Sequence, residues 1–332
     1  MPRFGIYMGA TLPLEQLTEL AQLAEAVGFD GWFCTEHHQQ PGIGPSPLVT
    51  LAALAGVTTT LRLGTAVLLP PLYHPVRLAT DGAVLDRLSG GRFIMGAGLG
   101  YQPVDFDAFG TPITHRVSLL EEGIEIVKRA WIEERFSFHG RRFHLDDIHI
   151  EPRSHQQPRP PIWLAGWTDP GVRRAARIGD AWLTDPILSL DAVETLRAVH
   201  ASESVVVGRT PHVVLMRSVA IAQTRAEAIT RYGAAAVAGF RYYWRNNAMN
   251  ADLEPWLRDI RDESELTWDN LAPGRIIAGS PQDCIADARH WFDTTGSDYM
   301  IISLSPNPGP ERWETLNQSI ELFGREVVPA FR

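Results

Sequence analysis

A (β/α)8 TIM barrel with insertions is the fold class this sequence predicts, and three observations point to it. Short β-rich runs alternate with helical patterns along almost the whole chain. About eight strand runs can be counted, each followed by a helical one. At 332 residues the chain exceeds the ~250 residues such a barrel takes as one unit, which leaves room for insertions. Strands alternating with helices imply parallel pairing and right-handed crossovers. A doubly wound open sheet is the alternative. Eight units with one insertion favour closure, so residues 1–332 read as a single domain.

The elements follow in order. Phe4–Tyr7 reads as a strand. Pro13–Val27 reads as a helix, because Leu14, Leu17, Leu20, Leu23, Ala24 and Val27 share one face and Gly28 ends it. Gly31–Cys34 is a strand, followed by a Gly/Pro-rich loop to Ser46. Helix Pro47–Thr58 precedes strand Leu61–Leu68, and helix His74–Ser89 is ended by Gly90 and Gly91. Strand Phe93–Ala97 comes next, then helix His115–Trp131 with Leu119, Leu120, Ile124, Val127 and Trp131 apolar. Phe136–His144 has the pattern of a hairpin, and Pro152–Pro161 that of a connector. The alternation resumes with strand Ile162–Ala165, helix Pro170–Ile178, strand Ala181–Thr184 and helix Ser189–His200. A strand spans His212–Ala222 and a helix starts near Arg225. The stretch 233–273, with Tyr242, Tyr243, Trp244, Trp256 and Trp268, is too long for an ordinary connection and reads as an insertion or lid. Helix Pro281–Thr294, strand Tyr299–Leu304 and helix Trp313–Phe323 complete the chain.

Composition narrows the function. The net charge of −9 argues against nucleic acid as the main partner, because phosphate neutralisation needs surplus Lys and Arg. No apolar run nears the ~18 residues of a membrane helix, and no signal peptide is evident. Cys34 and Cys284 form neither a disulfide framework nor a metal-ligand spacing, which fits the cytoplasm.

In a barrel, chemistry sits where strands end. The second strand is followed by Thr35, Glu36, His37 and His38. A His relays protons near neutral pH and a carboxylate fixes its tautomer, so Glu36 is expected to orient His37. A metal site with His74 is disfavoured, since adjacent residues rarely chelate one ion together. The fourth strand ends in Gly96-Ala-Gly98-Leu-Gly100-Tyr101. That is not the Gly-x-Gly-x-x-Gly of dinucleotide sites, and it implies close backbone approach to something flat. Gly166-Trp167-Thr168-Asp169-Pro170 opens a helix, as does Gly279-Ser280-Pro281. Both turns suit an anion.

These residues carry a resemblance to the bacterial luciferase-like flavin-dependent monooxygenases. The matching stretches are Gly28–His38, Leu63–Pro70, His74–Arg77, Leu85–Phe93 and Asp105–Gly110, then Pro161–Gly166 and Arg173–Asp180. The resemblance implies a (β/α)8 barrel that uses reduced FMN, supplied by a separate reductase, to activate O2 through a C4a-(hydro)peroxyflavin. It implies a small organic substrate, a catalytic His37 with Glu36 and His38 in the same pocket, and dimerisation as the family habit. Ala66-Val67 would hold a non-prolyl cis peptide against the flavin ring beside Gly98. Gly166, Trp167 and Thr168 would receive the phosphate, and Tyr101, Trp167 and Tyr243 would line the substrate side. Gly98 and Leu99 replace the luciferase α subunit's reactive Cys and phosphate Arg, so light emission is not implied. A sister group that uses the deazaflavin coenzyme for hydride transfer is the alternative. Readings from other classes are a non-catalytic flavin binder and a metal-dependent barrel hydrolase.

Overall fold

The computed structural model describes residues 1–9, 12–40, 42–44 and 46–332, so Pro41 and Pro45 of the Gly/Pro-rich loop lie outside it. The strands are β1 (Arg3–Met8), β2 (Gly31–Cys34), β3 (Arg62–Thr65), β4 (Phe93–Ala97), β5 (Phe136–His139), β6 (His144–Ile148), β7 (Ile162–Ala165), β8 (Ala181–Leu183), β9 (Val213–Ile221), β10 (Ile276–Gly279) and β11 (Tyr299–Leu304). Eight of them pair in parallel in the order β9-β11-β1-β2-β3-β4-β7-β8, and β8 returns to β9. The sheet is therefore a closed barrel, as the alternation predicts. The hairpin β5–β6 stands apart from it.

The helices are α1 (Leu14–Ala26), α2 (Pro47–Ala55), α3 (Pro75–Leu88), α4 (Pro103–Ala108), α5 (Arg116–Ile132), α6 (Asp169–Ile178), α7 (Leu190–Val206), α8 (Arg225–Arg245), α9 (Trp268–Leu271), α10 (Pro281–Thr295) and α11 (Arg312–Leu322). Their apolar faces pack on the outside of the barrel. In α1 that face is Leu17, Leu20, Ala21 and Ala24, all buried at helical spacing. Among the described residues no helix is long and apolar enough to cross a membrane.

The barrel interior has its own core, with Phe33, Trp163 and Tyr299 buried beside Ile94, Val214 and Ile301. Phe33 stacks on Trp163 at 5.6 Å and meets Tyr299 edge-on at 6.0 Å. Gly5 and Gly64 make room for this plug: a Cβ at Gly64 would lie 2.3 Å from the Phe33 ring. The plug fills the barrel interior between the strands.

Four local features depart from the sequence reading. The β3 strand stops at Thr65, and the chain continues through a cis Ala66–Val67 peptide. Residues 233–245 are not irregular: they continue α8, which buries Ala228, Tyr232, Gly233 and Phe240 along one face. A ninth barrel-edge strand, β10, pairs with the second half of β9. Four apolar residues after a loop carry no periodic signal, and only the length of β9 makes room for them. The short helix α4 was also unmarked in the sequence, and it holds Asp105.

Candidate active site at the barrel mouth

Glu36, His37 and His38 follow β2, and their side chains take different partners, which separates the three. Glu36 is 1% exposed and accepts from Tyr73 Oη, from the Leu69 backbone N–H and from His38 Nε2, each at 2.7 Å. It ties the end of β2 to the segment after the cis peptide. The carboxylate also raises the His38 pKa, chiefly through their hydrogen bond.

His37 takes another partner, so Glu36 does not orient it. Its partner is Asp105, whose Oδ2 lies 3.3 Å from His37 Nδ1. Asp105 Oδ1 accepts from the backbone N–H groups of His38 (3.1 Å) and Gln39 (3.0 Å). A carboxylate at Nδ1 places the ring proton there and leaves the Nε2 lone pair for the cavity. The same Nδ1 also lies 3.3 Å from Gln102 Nε2. Sequence reasoning missed Asp105 because it is 68 positions away; its only signal was its place in a quoted matching stretch.

The cis segment abuts the end of β4. Leu68 donates to Gly96 O at 2.8 Å, and Gly98 donates to Leu68 O at 2.9 Å. A Cβ at Gly96 would sit 1.8 Å from Thr65 O, and one at Gly98 would sit 2.7 Å from Val67 Cγ2. Glycine at both positions is what lets the two strand ends close together.

These groups line a cavity of about 220 Å3. Its walls include Glu36 and His37 from the end of β2, Ala66 and Val67, Gly98, and Gly166, Trp167 and Thr168 after β7. His38 does not line it; the ring packs 4.5 Å from Phe109 instead. At the β7 end, Thr168 caps α6 and Gly166 lies against Gly171, where a Cβ would be 2.8 Å from the Gly171 carbonyl carbon. Arg116, the first residue of α5, lines the same cavity. Its Nη1 donates to Ile113 O at 3.2 Å, and its buried Nε has no partner among the described residues. The Ser280 turn is less open to an anion, because the Asp283 carboxylate accepts from both Ser280 N and Oγ at 2.9 Å.

A larger cavity of about 690 Å3 adjoins this one, sharing Tyr7, His37, Tyr101, Pro186, Met216 and Tyr243 with it. Helix α8 roofs it: Ala235, Ala236, Gly239, Tyr242 and Tyr243 face it. Gln102 Nε2 donates to Tyr242 Oη at 2.7 Å, which pins the helix to the loop after β4. Among the described residues no three His, Cys, Asp or Glu side chains gather as for a metal ion.

A parallel eight-stranded barrel with a carboxylate–histidine pair facing a cavity at its carboxyl end has the architecture of a barrel enzyme. Residues 1–298 match the family model of the luciferase-like monooxygenases, and the chain belongs to that family. The F420-dependent glucose-6-phosphate dehydrogenase of Kineococcus radiotolerans is 30% identical, over 96% of this chain and 93% of that protein. The oxygenase component of the flavin-dependent trigonelline monooxygenase of Acinetobacter baylyi is 28% identical, over 96% and 89%. The crystal structure of monooxygenase RslO1 from Streptomyces bottropensis superposes with a TM-score of 0.81 at 25% identity, covering 99% and 100% of the two chains. The family holds both flavin monooxygenases and F420-dependent oxidoreductases, so this chain is of oxidoreductase stock.

Proposed function

We propose that the protein is the oxygenase component of a flavin-dependent monooxygenase, which takes reduced FMN from a separate reductase and uses O2 to oxidise a small organic substrate in the cytoplasm. The observation that carries this reading is the orphaned Nε of Arg116, in the same cavity as Gly166, Trp167 and Thr168. A phosphate is the group that would satisfy the buried Nε of this half-buried arginine, in a cavity that a helix start also lines. The space lined by Ala66, Val67, Gly98 and His37 is where the ring system would sit. The bound cofactor would supply the electrons and the activation of oxygen.

The chain's own residues do the rest. Arg116 and Thr168 bind the phosphate end. Asp105 holds the Nδ1 proton of His37, and His37 accepts or donates a proton at Nε2. Glu36 and His38 position the strand end rather than exchange protons with substrate. Helix α8 excludes water from the larger cavity, with Tyr101 and Tyr243 on its wall.

Hydride transfer with the deazaflavin coenzyme is the second reading, favoured by the F420-dependent relative that matches nearly the whole chain. Titration of the purified protein with FMN, riboflavin and the deazaflavin coenzyme, followed by visible absorbance, separates the two. FMN should saturate, and Arg116→Ala should weaken FMN tenfold or more while leaving riboflavin unchanged. Saturation by the deazaflavin alone would overturn the monooxygenase reading.

A further inference from the structure

Asp185 stands directly after β8, on the wall of the cavity that also holds His37. Its Oδ1 accepts from the Ile187 backbone N–H at 3.0 Å, and among the described residues its carboxylate forms no ion pair. The nearest cation is Arg217, fully buried on β9 and stacked over Trp291 at 4.3 Å. That guanidinium serves carbonyl groups instead. It donates to the backbone oxygens of Met216, Leu188 (2.6 Å) and Asp185 itself. Arg217 thus fixes the 184–188 loop through its backbone and forms no ion pair with the Asp185 carboxylate.

Aromatic residues share this cavity: Tyr7 on β1, Tyr101 after β4, Trp167 after β7 and Tyr243 on α8. Tyr101 meets Trp167 at 5.8 Å and Tyr243 at 6.3 Å, so these three rings are connected. The Asp185 charge reaches Tyr7, Tyr101 and Tyr243, whose phenols burial already keeps neutral. The mechanism above uses none of this.

We propose that Asp185 and the aromatic residues Tyr7, Tyr101, Trp167 and Tyr243 select a small organic cation, a protonated or quaternary amine, as the substrate. The proposal rests on reading the mouth as a substrate chamber. A carboxylate that shares a cavity with aromatic rings offers a cation both a counter-charge and quadrupole attraction, and a neutral isostere gets neither. The other charged or titratable groups lining the cavity are committed: His37 to Asp105, Glu36 to Tyr73 and His38, and Arg116 to the phosphate end. Burial pushes the Asp185 carboxyl up to about 6, against the pull of the Ile187 N–H and Arg217. Cation binding should therefore weaken as pH falls through that value.

The test compares choline with its neutral isostere, 3,3-dimethylbutan-1-ol, binding to the purified protein with and without FMN, by calorimetry or ligand-detected NMR. Choline should bind at least tenfold tighter at pH 7.5, and the preference should shrink severalfold at pH 5. Asp185→Asn keeps the acceptor for Ile187 and should abolish the preference, in the FMN-free protein as in the FMN-bound one. Equal binding of the two probes by the wild type, a preference untouched by pH, or one that survives Asp185→Asn would overturn the proposal. Loss of FMN affinity in Asp185→Asn, with the probe preference intact, would assign the carboxylate to the cofactor and overturn it too. Absence of FMN binding together with a normal choline preference would sink the monooxygenase reading and leave the cation site standing.

Discussion

Glu25 and Asp185 are carboxylates at opposite ends of the same barrel. Glu25 sits where β3 begins and accepts from the backbone N–H groups of Thr59 (2.8 Å), Thr60 (2.5 Å) and Leu61 (3.0 Å), and from Thr60 Oγ1 (2.9 Å). Burial works against its charge, but those donors outweigh it and hold the pKa down to about 2. Asp185 sits where β8 ends, with one N–H donor, and burial lifts it to about 6. The difference is the supply of donors. At the closed end Asp86 is spent on the fold in the same way as Glu25: it takes His155 N (2.7 Å), Gln156 N (2.8 Å) and Gln156 Nε2 (2.7 Å). At the open end Glu36 and Asp105 are also engaged, but Asp185 and the Arg116 Nε keep part of their capacity for something outside the protein.

The strongest challenge to this contrast is His37→Ala. A positioned proton-transfer group contributes about 10²–10⁴-fold, or roughly 3–5 kcal/mol of barrier. Single-turnover oxidation should fall by that factor while the melting temperature barely moves. Lost stability with normal turnover would make His37 a packing residue. At the closed end the pattern reverses. Asp86→Ala removes the acceptor of three part-buried donors and should cost on the order of 2 kcal/mol in denaturant unfolding, with FMN affinity unchanged in the folded fraction.

Melting temperature against pH sharpens the comparison. Asp185 binds its proton more tightly when folded, so the wild type loses stability as pH rises from the usual value of 3.8 through about 6. Asp185→Asn should gain on the order of 2 kcal/mol at pH 7.5, with no gain near pH 4. Glu25 has the opposite sign: its contribution is complete above the usual 4.5 and lost as pH falls toward 2. Glu25→Gln should be destabilised at neutral pH, the gap closing on acidification. The smallest effect is expected from Thr168→Ala, which should weaken FMN by ~1 kcal/mol more than riboflavin. Equal loss for both ligands would move the phosphate away from α6.

The sequence by itself determined the barrel, because alternation of strand and helix periods is a local property that each segment carries whatever its neighbours do. It also placed Glu36, His37, Ala66, Gly98 and Thr168 at strand ends, where a barrel gathers them into one mouth. The expectation that Glu36 orients His37 failed, because Glu36 pairs with His38 instead. Only the tertiary structure decided the partners. Asp105 reaches His37 across 68 positions, Arg116 enters the cavity from a helix start, and Arg217 holds the Asp185 backbone from the neighbouring strand. Hydrogen bonds and unpaired charges belong to groups brought together by folding, so their pairing, and the pKa values that follow from it, have no signature in a one-dimensional pattern.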